Sequence, residues 1–320
     1  NYLSLLNNDV YTIGLAQLDG SNNLNLTGEE ITLTKQVYEE NPIYITNTFE
    51  VDGIKVGYLM YNRFLNDYDP ALNQVFANFV AEGVDELVLD LRYNPGGSVN
   101  NAVLLSSLIA GKPSTSLFSN PITSTKVSTN PEINFLFPPR HFVEAIDGNP
   151  INALNLSKVY VLAQYSSASA SELVINGLSP YIDVIHIGNY TRGKNEFSIT
   201  LYDNPDCAFL PPNSNCTGAI NPNHLWAMQP LVGRNENADG FSDYTTGLTP
   251  DIFLDESLSN LGVLGQQDEP LLARAIQHLT GNGRTGETII ENKIELFDYS
   301  NQHTPTGTNM YLEPDDVPMF

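Results

Sequence analysis

Short aliphatic strands alternate with amphipathic helices through the middle of this 320-residue chain, and that order constrains its fold more than any other feature. Residues 57–61 and 86–91 are predicted strands, and a helix predicted to start at Asp69 lies between them. The order returns as strand 159–162, helix 170–178 and strand 184–187. Such alternation is typical of α/β proteins with a mainly parallel sheet. We predict that fold class.

The first helix of this series has marked ends and one apolar face. Asp69 is its predicted N-cap, and Pro70 stands in the first turn, where its missing N–H costs no hydrogen bond. Gly83 is the predicted stop. The apolar positions follow helical spacing, at Leu72, Val75, Phe76, Phe79 and Val80. We expect all five to face the core.

Two segments flank the core domain, which we place at residues 46–280. Residues 1–45 consist of short strands and turns, and are too few to bury a core alone. Residues 281–320 are polar and turn-rich, and we expect an arm rather than a domain. Within the core domain, residues 113–150 carry six prolines and little periodicity. Loops of that length are usually lids or binding elements, so we expect a long surface loop there.

Charge and hydropathy exclude two classes of protein. The chain has 14 basic against 37 acidic side chains and a formal charge of −23, which rules out nucleic-acid binding by bulk attraction. No stretch reaches the ~18 consecutive apolar residues of a membrane-spanning helix. The chain starts at Asn1 without a methionine or an apolar leader, and we expect a missing upstream part.

The only two cysteines, Cys207 and Cys216, stand nine apart in a segment rich in proline and asparagine. In an exported protein they could close a short disulfide loop, and otherwise they are two unpaired thiols. The residues alone leave both open. A zinc site is disfavoured because there is no second cysteine pair and only His224 lies nearby. We therefore expect no metal.

The segment with the clearest chemical meaning, residues 166–172, lies between a predicted strand and a predicted helix. Ser169 and Glu172 fit the S-x-x-E capping box, which needs no function. A serine at such a turn also has its hydroxyl exposed beside unpaired N–H groups that suit an oxyanion. Capping and catalysis are compatible, so the question becomes which residue could serve as a base.

None of the five histidines lies in a recognisable motif, so the alternative base is Lys194, in a glycine-flanked turn after the next strand. A lysine can take a proton only if burial or a neighbouring cation lowers its pKa from ~10.4. Arg192 is either such a neighbouring cation or a solvated turn residue. A solvated lysine in a turn is the other interpretation, and the local pattern by itself favours it.

Two motifs then resemble the signature of the carboxyl-terminal processing, or tail-specific, serine proteases. One is Ser-Ala-Ser-Ala-Ser-Glu at 167–172 with Gly-Lys at 193–194, and the other is Asp-Leu-Arg-Tyr-Asn-Pro-Gly-Gly at 90–97. The resemblance covers residues from about 46 to 275. It implies a nucleophile at Ser169 and a general base at Lys194. The implied oxyanion donors are the amides of Ala170 and of Gly96 or Gly97.

The resemblance also implies a fold and an activity. The fold would be a spiral of ββα units, as in crotonase-like proteins, and residues 1–45 would be the end of a PDZ-like module. The activity would be that of a serine endopeptidase that cleaves unstructured or C-terminally exposed polypeptides through an acyl-enzyme, with no cofactor. Export to the periplasm fits the family, and a missing leader could attach the protein to a membrane through a lipid anchor.

Two departures from the family pattern leave the residue that orients Lys194 unassigned. Pro180 replaces an aspartate found in some members, and Ser198 replaces a glutamine found in others. Ser198 and Glu196 are weak candidates for the orienting role. A catalytically silent peptide-binding homologue is therefore the alternative function. An acyl-transfer enzyme of the enoyl-hydratase type is disfavoured, because nothing resembles a nucleotide or coenzyme A site.

Overall fold

A computed structural model describes residues 8–21, 23–36, 38–134, 136–210, 216–224, 226–257, 260–281 and 310–312. The chain divides into two compact units, Asn1–Asn41 and Pro42–Phe320. The predicted C-terminal arm lies outside the described residues except for residues 281 and 310–312. No helix within the described ranges has the length and apolar character needed to cross a membrane.

The first unit contains an antiparallel hairpin of strands β1 (Val10–Leu18) and β2 (Leu24–Thr34). The side chain of Asp19 shapes its turn by accepting from the N–H groups of Ser21 and Asn23 at 2.8 and 2.9 Å. Apolar side chains of the hairpin, among them Leu24 and Leu26, are exposed. Two strands by themselves are only marginally stable in water.

The second unit is built on a six-stranded sheet. Its strands are β3 (Ile43–Val51), β4 (Ile54–Tyr61), β5 (Glu86–Asp90), β10 (Lys158–Ala163), β11 (Asp183–Gly188) and β16 (Ile252–Phe253). They lie in the order β16-β11-β10-β5-β4-β3. All neighbouring pairs are parallel except β3 with β4. The predicted α/β class with a mainly parallel sheet is confirmed.

Six helices are found in the described residues: α1 (Asp69–Glu82), α2 (Val99–Ala110), α3 (Thr125–Ser128), α4 (Pro131–Asn134), α5 (Ala170–Leu178) and α6 (Pro270–Leu279). Helix α1 ends at Gly83, which has a φ of 70°, as predicted. Its N-cap is Tyr68 rather than Asp69. The prediction for Val80 was wrong, since that side chain is 48% exposed. It lies about 100° round the helix from Phe79, beyond the edge of the buried face.

Helices cover both faces of the six-stranded sheet. On one face, α1, α2 and α5 pack against Leu59, Leu89 and Val161. On the other, α6 packs against the neighbouring strand residues, including Tyr58 and Val88. Because successive side chains of a strand point to opposite faces, each strand contributes to both cores. This explains why the strands consist of nearly continuous apolar runs.

A second, five-stranded sheet contains β6 (Leu117–Thr123), β7 (Arg140–His141), β12 (Glu196–Ile199), β15 (Leu231–Glu236) and β17 (Met310–Leu312), in the order β17-β12-β15-β6-β7. Two small hairpins are formed by β8 (Ala145–Ile146) with β9 (Asn149–Pro150) and by β13 (Leu201–Tyr202) with β14 (Ala227–Met228).

The prediction that residues 113–150 form one long surface loop was therefore wrong. This segment contributes β6 and β7 to the second sheet, and Phe118 and Phe142 are buried with their ring centroids 5.3 Å apart. Such contacts anchor a segment whose prolines interrupt any regular sequence period. Residues that the sequence predicted to be a loop therefore form part of the second sheet.

Candidate active site

Ser169 lies where β10 has ended and α5 begins, at the carboxyl end of the parallel strands. Its backbone has φ 62° and ψ −111°, a conformation that is strained for a residue with a side chain. The side chain is fully buried, whereas the sequence predicted an exposed hydroxyl. Its Oγ makes no hydrogen bond within the described residues. An unpaired buried hydroxyl on a strained turn is a common mark of a functional site.

The two glycines of the 90–97 motif lie directly against this serine. Gly96 has a φ of 112°, and a Cβ added there would lie 2.7 Å from Ser169 Cβ and 3.1 Å from the Ala170 nitrogen. Gly97 has a φ of 137°, and a Cβ there would lie 2.2 Å from the Phe64 carbonyl oxygen. Both positions therefore require glycine. The structure brings the two predicted halves of the oxyanion site into contact.

One of the two candidate glycine amides is already used. The Gly96 N–H donates to Asn94 Oδ1 at 2.9 Å, while Asn94 Nδ2 donates to the Tyr61 carbonyl at 2.8 Å. The Asn94 side chain thus holds the turn to the end of β4. The Gly96 N–H is therefore already paired, and the Gly97 and Ala170 N–H groups stay the candidates for holding an oxyanion.

Glu172 connects the serine turn to the lysine turn, and its side chain is fully buried. Its Oε2 accepts from the N–H groups of Ser169 and Lys194, each at 2.8 Å. Its Oε1 accepts from the Gly193 N–H and the Thr191 hydroxyl, each at 2.6 Å. Burial raises the pKa of Glu172, and these four donors oppose that shift.

The sequence signal for Glu172 was the S-x-x-E spacing, which we interpreted as a helix cap. The glutamate half of the capping box is formed, since the Ser169 N–H donates to Glu172 Oε2, and the same carboxylate also fixes the turn that carries Lys194. Thr191 belongs to this arrangement and was not predicted. No local pattern links positions 172 and 191, because they meet only after β11 has brought the chain back across the sheet.

Lys194 is half-buried, and its backbone N–H is held by Glu172. Burial is the main reason that its pKa lies below the ordinary lysine value. Glu196 and Glu172 act in the opposite direction, and Arg192 adds to the lowering. This is the direction that a general-base lysine needs. Because Ser169 Oγ is unpaired, no Ser169–Lys194 hydrogen bond is formed in this structure.

The two candidates for orienting Lys194 have other contacts. Ser198 is fully buried in β12, and its hydroxyl donates to the Met310 carbonyl at 3.3 Å. Glu196 forms an ion pair with Arg234 at 3.3 Å. Glu196 still acts on Lys194 through its charge, since it raises the pKa of that amine.

A buried arginine supports the glycine turn from the other side of the sheet. Arg92 is fully buried and binds Asp90 at 2.8 Å, Glu269 at 2.7 Å and Glu256 at 2.9 Å. Glu269 is the N-cap of α6 and also accepts from the Leu272 N–H at 2.9 Å. The beginning of the glycine turn is thereby tied to α6. The motif containing Arg92 was recognised in the sequence, but these partners were not.

Cys207 and Cys216 are joined by a disulfide, with their Cα atoms 5.6 Å apart. The bridge closes a loop that follows β13 and lies outside the arrangement around Ser169. The residues left open whether these cysteines are bonded or are two unpaired thiols, and in the structure they are bonded.

The chain is similar in sequence to known proteins. Residues 55–206 match peptidase family S41. A CtpA-like serine protease from Staphylococcus aureus (strain N315) is 29% identical over 142 residues, which are 44% of this chain and 25% of that protein. A carboxyl-terminal-processing protease from Picosynechococcus sp. (strain ATCC 27264 / PCC 7002 / PR-6) is 26% identical over 184 residues, 57% of this chain and 39% of that protein.

Solved structures show the same fold. A protein from Bacteroides fragilis NCTC 9343, described as an S41 protease, is 29% identical and superposes with a TM-score of 0.66, covering 87% of this chain and 68% of that one. The photosystem II D1 C-terminal processing protease superposes with a TM-score of 0.50 at 20% identity, covering 79% of this chain and 59% of that one.

In sequence and in fold, the chain is similar to serine-type peptidases. The match to peptidase family S41 spans residues 55–206, and the resemblance to carboxyl-terminal processing proteases is confirmed. The chain spans about a quarter of the length of the first curated relatives that it matches.

Proposed function

We propose that this chain is a serine endopeptidase that cleaves unstructured or C-terminally exposed polypeptides through a Ser169–Lys194 dyad and an acyl-enzyme. The observation that carries the proposal is the unpaired Ser169 hydroxyl on a strained turn, linked through Glu172 to the backbone of Lys194. One buried carboxylate therefore sets the nucleophile and the base relative to each other.

The proposed reaction uses only groups of this chain. Neutral Lys194 takes the proton of Ser169, and the resulting alkoxide attacks the scissile carbonyl. The N–H groups of Ala170 and Gly97 hold the oxyanion that forms on the carbonyl oxygen. Protonated Lys194 then donates to the leaving amine, and water repeats the sequence on the acyl-enzyme. Burial of Lys194 favours the neutral form that starts the cycle.

The test is cleavage of a flexible protein with an apolar C-terminus. Ser169→Ala and Lys194→Ala should each lower kcat by roughly 10³-fold or more, with the melting temperature of the wild type retained. The matched controls are Ser128→Ala and Lys126→Ala, which alter exposed residues of the same types. Mass spectrometry of the products would identify the cleaved bonds. Full activity in either active-site variant would refute the dyad.

A silent peptide-binding homologue is the second candidate. Two observations favour it: Ser169 is fully buried, and it has no hydrogen bond to Lys194. This candidate predicts saturable peptide binding without cleavage, unchanged by Ser169→Ala. Isothermal titration calorimetry with the same flexible protein would measure the binding. An assay of new amino termini in the same mixture would distinguish the two candidates, because only a peptidase releases them.

We further infer two features that the family resemblance suggests. The strands and helices of the second unit would follow the spiral of ββα units, and the β1–β2 hairpin would be the end of a PDZ-like module. We also propose that the protein is exported, because the Cys207–Cys216 disulfide suits an oxidising compartment. Fractionation of cells that make the complete gene product would test this, and finding it only in the cytoplasm would refute it.

A further inference from the structure

The chain's own C-terminal part forms a strand beside the candidate active site. Strand β17 pairs in parallel with β12, with Met310 opposite Phe197 and Tyr311 opposite Ser198. Strand β12 begins at Glu196, two residues after Lys194. Because the two strands are parallel, the Met310 end of β17 is the end nearer to Lys194.

The same strand also contacts the glycine turn. The Tyr311 N–H donates to the Gly97 carbonyl at 3.2 Å, and Tyr311 forms a parallel bridge with Ser98. Gly97 follows Gly96, the residue that packs directly on Ser169. Strand β17 therefore lies between the segment that carries the base and the turn that carries an oxyanion donor.

We call the space between β12 and residues 97–98, which β17 fills, the groove. The side chain of Met310 occupies a buried pocket in it. Its side chain is fully buried in the main core cluster, and its Sδ lies 3.1 Å from Asn235 Nδ2. Its carbonyl accepts from the Ser198 hydroxyl. Main-chain pairing along a strand combined with one buried side-chain pocket is how proteins recognise extended peptides by strand addition.

We propose that Met310–Leu312 occupies the groove that binds the polypeptide substrate, and so competes with substrate from within the same chain. The proposal rests on the proposed peptidase function and names its substrate class. That class is an extended peptide with a long, unbranched apolar side chain in the Met310 pocket. Since the chain runs away from Lys194 along β12, this side chain belongs to a residue on the carboxyl side of the cleaved bond.

The first test is Tyr311→Pro, which removes the N–H that binds Gly97. Displacement of the strand should raise kcat/KM for a flexible substrate at least about fivefold, the value of one hydrogen bond. Tyr311→Phe is the matched variant that keeps this N–H, and its kcat/KM should rise less than that of Tyr311→Pro. Product sequencing should find methionine or leucine on the carboxyl side of the cleaved bonds. Lower activity of Tyr311→Pro, together with a lower melting temperature, would show instead that β17 is a fixed structural strand and overturn the proposal.

A second test does not depend on catalysis. A fluorescent peptide with the sequence of residues 307–314 should bind Ser169→Ala/Tyr311→Pro at least tenfold more tightly than Ser169→Ala alone. A peptide with alanine in place of Met310 should bind about tenfold or more weakly. Equal binding to both proteins, or no binding, would overturn the inference. Tight binding to these variants, together with no cleavage of any flexible protein by the wild type or by Tyr311→Pro, would refute the peptidase function and leave the peptide groove standing.

A third test uses the wild type and covers the case in which Tyr311→Pro does not fold. Hydrogen exchange should be faster at the Tyr311 amide than at the amides that join β12 to β15, and the same peptide in excess should accelerate it further. Equal protection at all these amides, unaffected by peptide, would show that the strand does not leave its groove.

Discussion

Replacement of Gly96 by alanine tests whether the glycine turn sets the position of the nucleophile. The added Cβ would lie 2.7 Å from Ser169 Cβ, whereas ordinary contact begins near 3.4 Å. The atoms must therefore separate by about 0.7 Å. Backbone surrounds the site on the other sides, with the Ala168 carbonyl oxygen at 3.0 Å and the Ala170 nitrogen at 3.1 Å. The displacement consequently falls on the serine turn.

The expected effect on catalysis is large. A misplacement of the order of 1 Å can cost about 100-fold in rate, because the reacting atoms leave their near-attack geometry. We expect kcat of Gly96→Ala to fall about 100-fold. The positive φ of 112° adds backbone strain, which should lower the free energy of unfolding by about 1–3 kcal/mol.

The matched control is Gly83→Ala at the end of α1. Gly83 also has a positive φ, of 70°, but nothing lies within 4 Å of its added Cβ. This variant should lose about 1 kcal/mol of stability and keep the wild-type kcat. Both variants would be compared by initial rates on a flexible protein and by urea denaturation. A kcat of Gly96→Ala within threefold of the Gly83→Ala value would refute the reasoning.

Three further predictions follow from buried groups. Glu172→Gln leaves one acceptor oxygen for four donors, so kcat measured on the flexible protein should fall roughly 100-fold with little change in KM; an exposed control, Glu82→Gln, should show no change, and a kcat loss below threefold at position 172 would contradict a positioning role. Burial lowers the pKa of His186 below its ordinary value of 6.5, so the unfolded chain binds the proton more readily. The free energy of unfolding should therefore decline as the pH falls below about 6.5, by at most about 1.4 kcal/mol per pH unit, and urea denaturation of His186→Phe should lack this decline. Loss of the disulfide in Cys207→Ser/Cys216→Ser should cost about 2.5 kcal/mol of stability, and a reductant should lower the wild type to the level of the variant while leaving the variant unchanged.

Local sequence patterns predicted the elements that follow a simple period. Helix α5 was expected at residues 170–178 and is found there, and the parallel sheet was expected from strand–helix alternation. The same patterns failed where contacts between distant residues decide the outcome. Val80 satisfies the helical spacing and is still exposed. Residues 113–150 show no period, yet they form two strands of the second sheet, because aromatic side chains such as Phe118 are buried there.

By itself, the sequence indicated the residues that we propose carry the chemistry: a serine at the start of a helix, a lysine in a glycine-flanked turn, and a glycine pair after a buried strand. The family resemblance suggested their roles. These are local features, since helix caps and glycine turns depend on neighbours within a few positions. Only the tertiary structure decided how they are held. Glu172 joins Ser169 to Lys194, and β17 lies against Gly97, although Tyr311 stands more than 200 positions later in the chain. Contacts of that kind arise when the sheets assemble, and no spacing in the sequence records them.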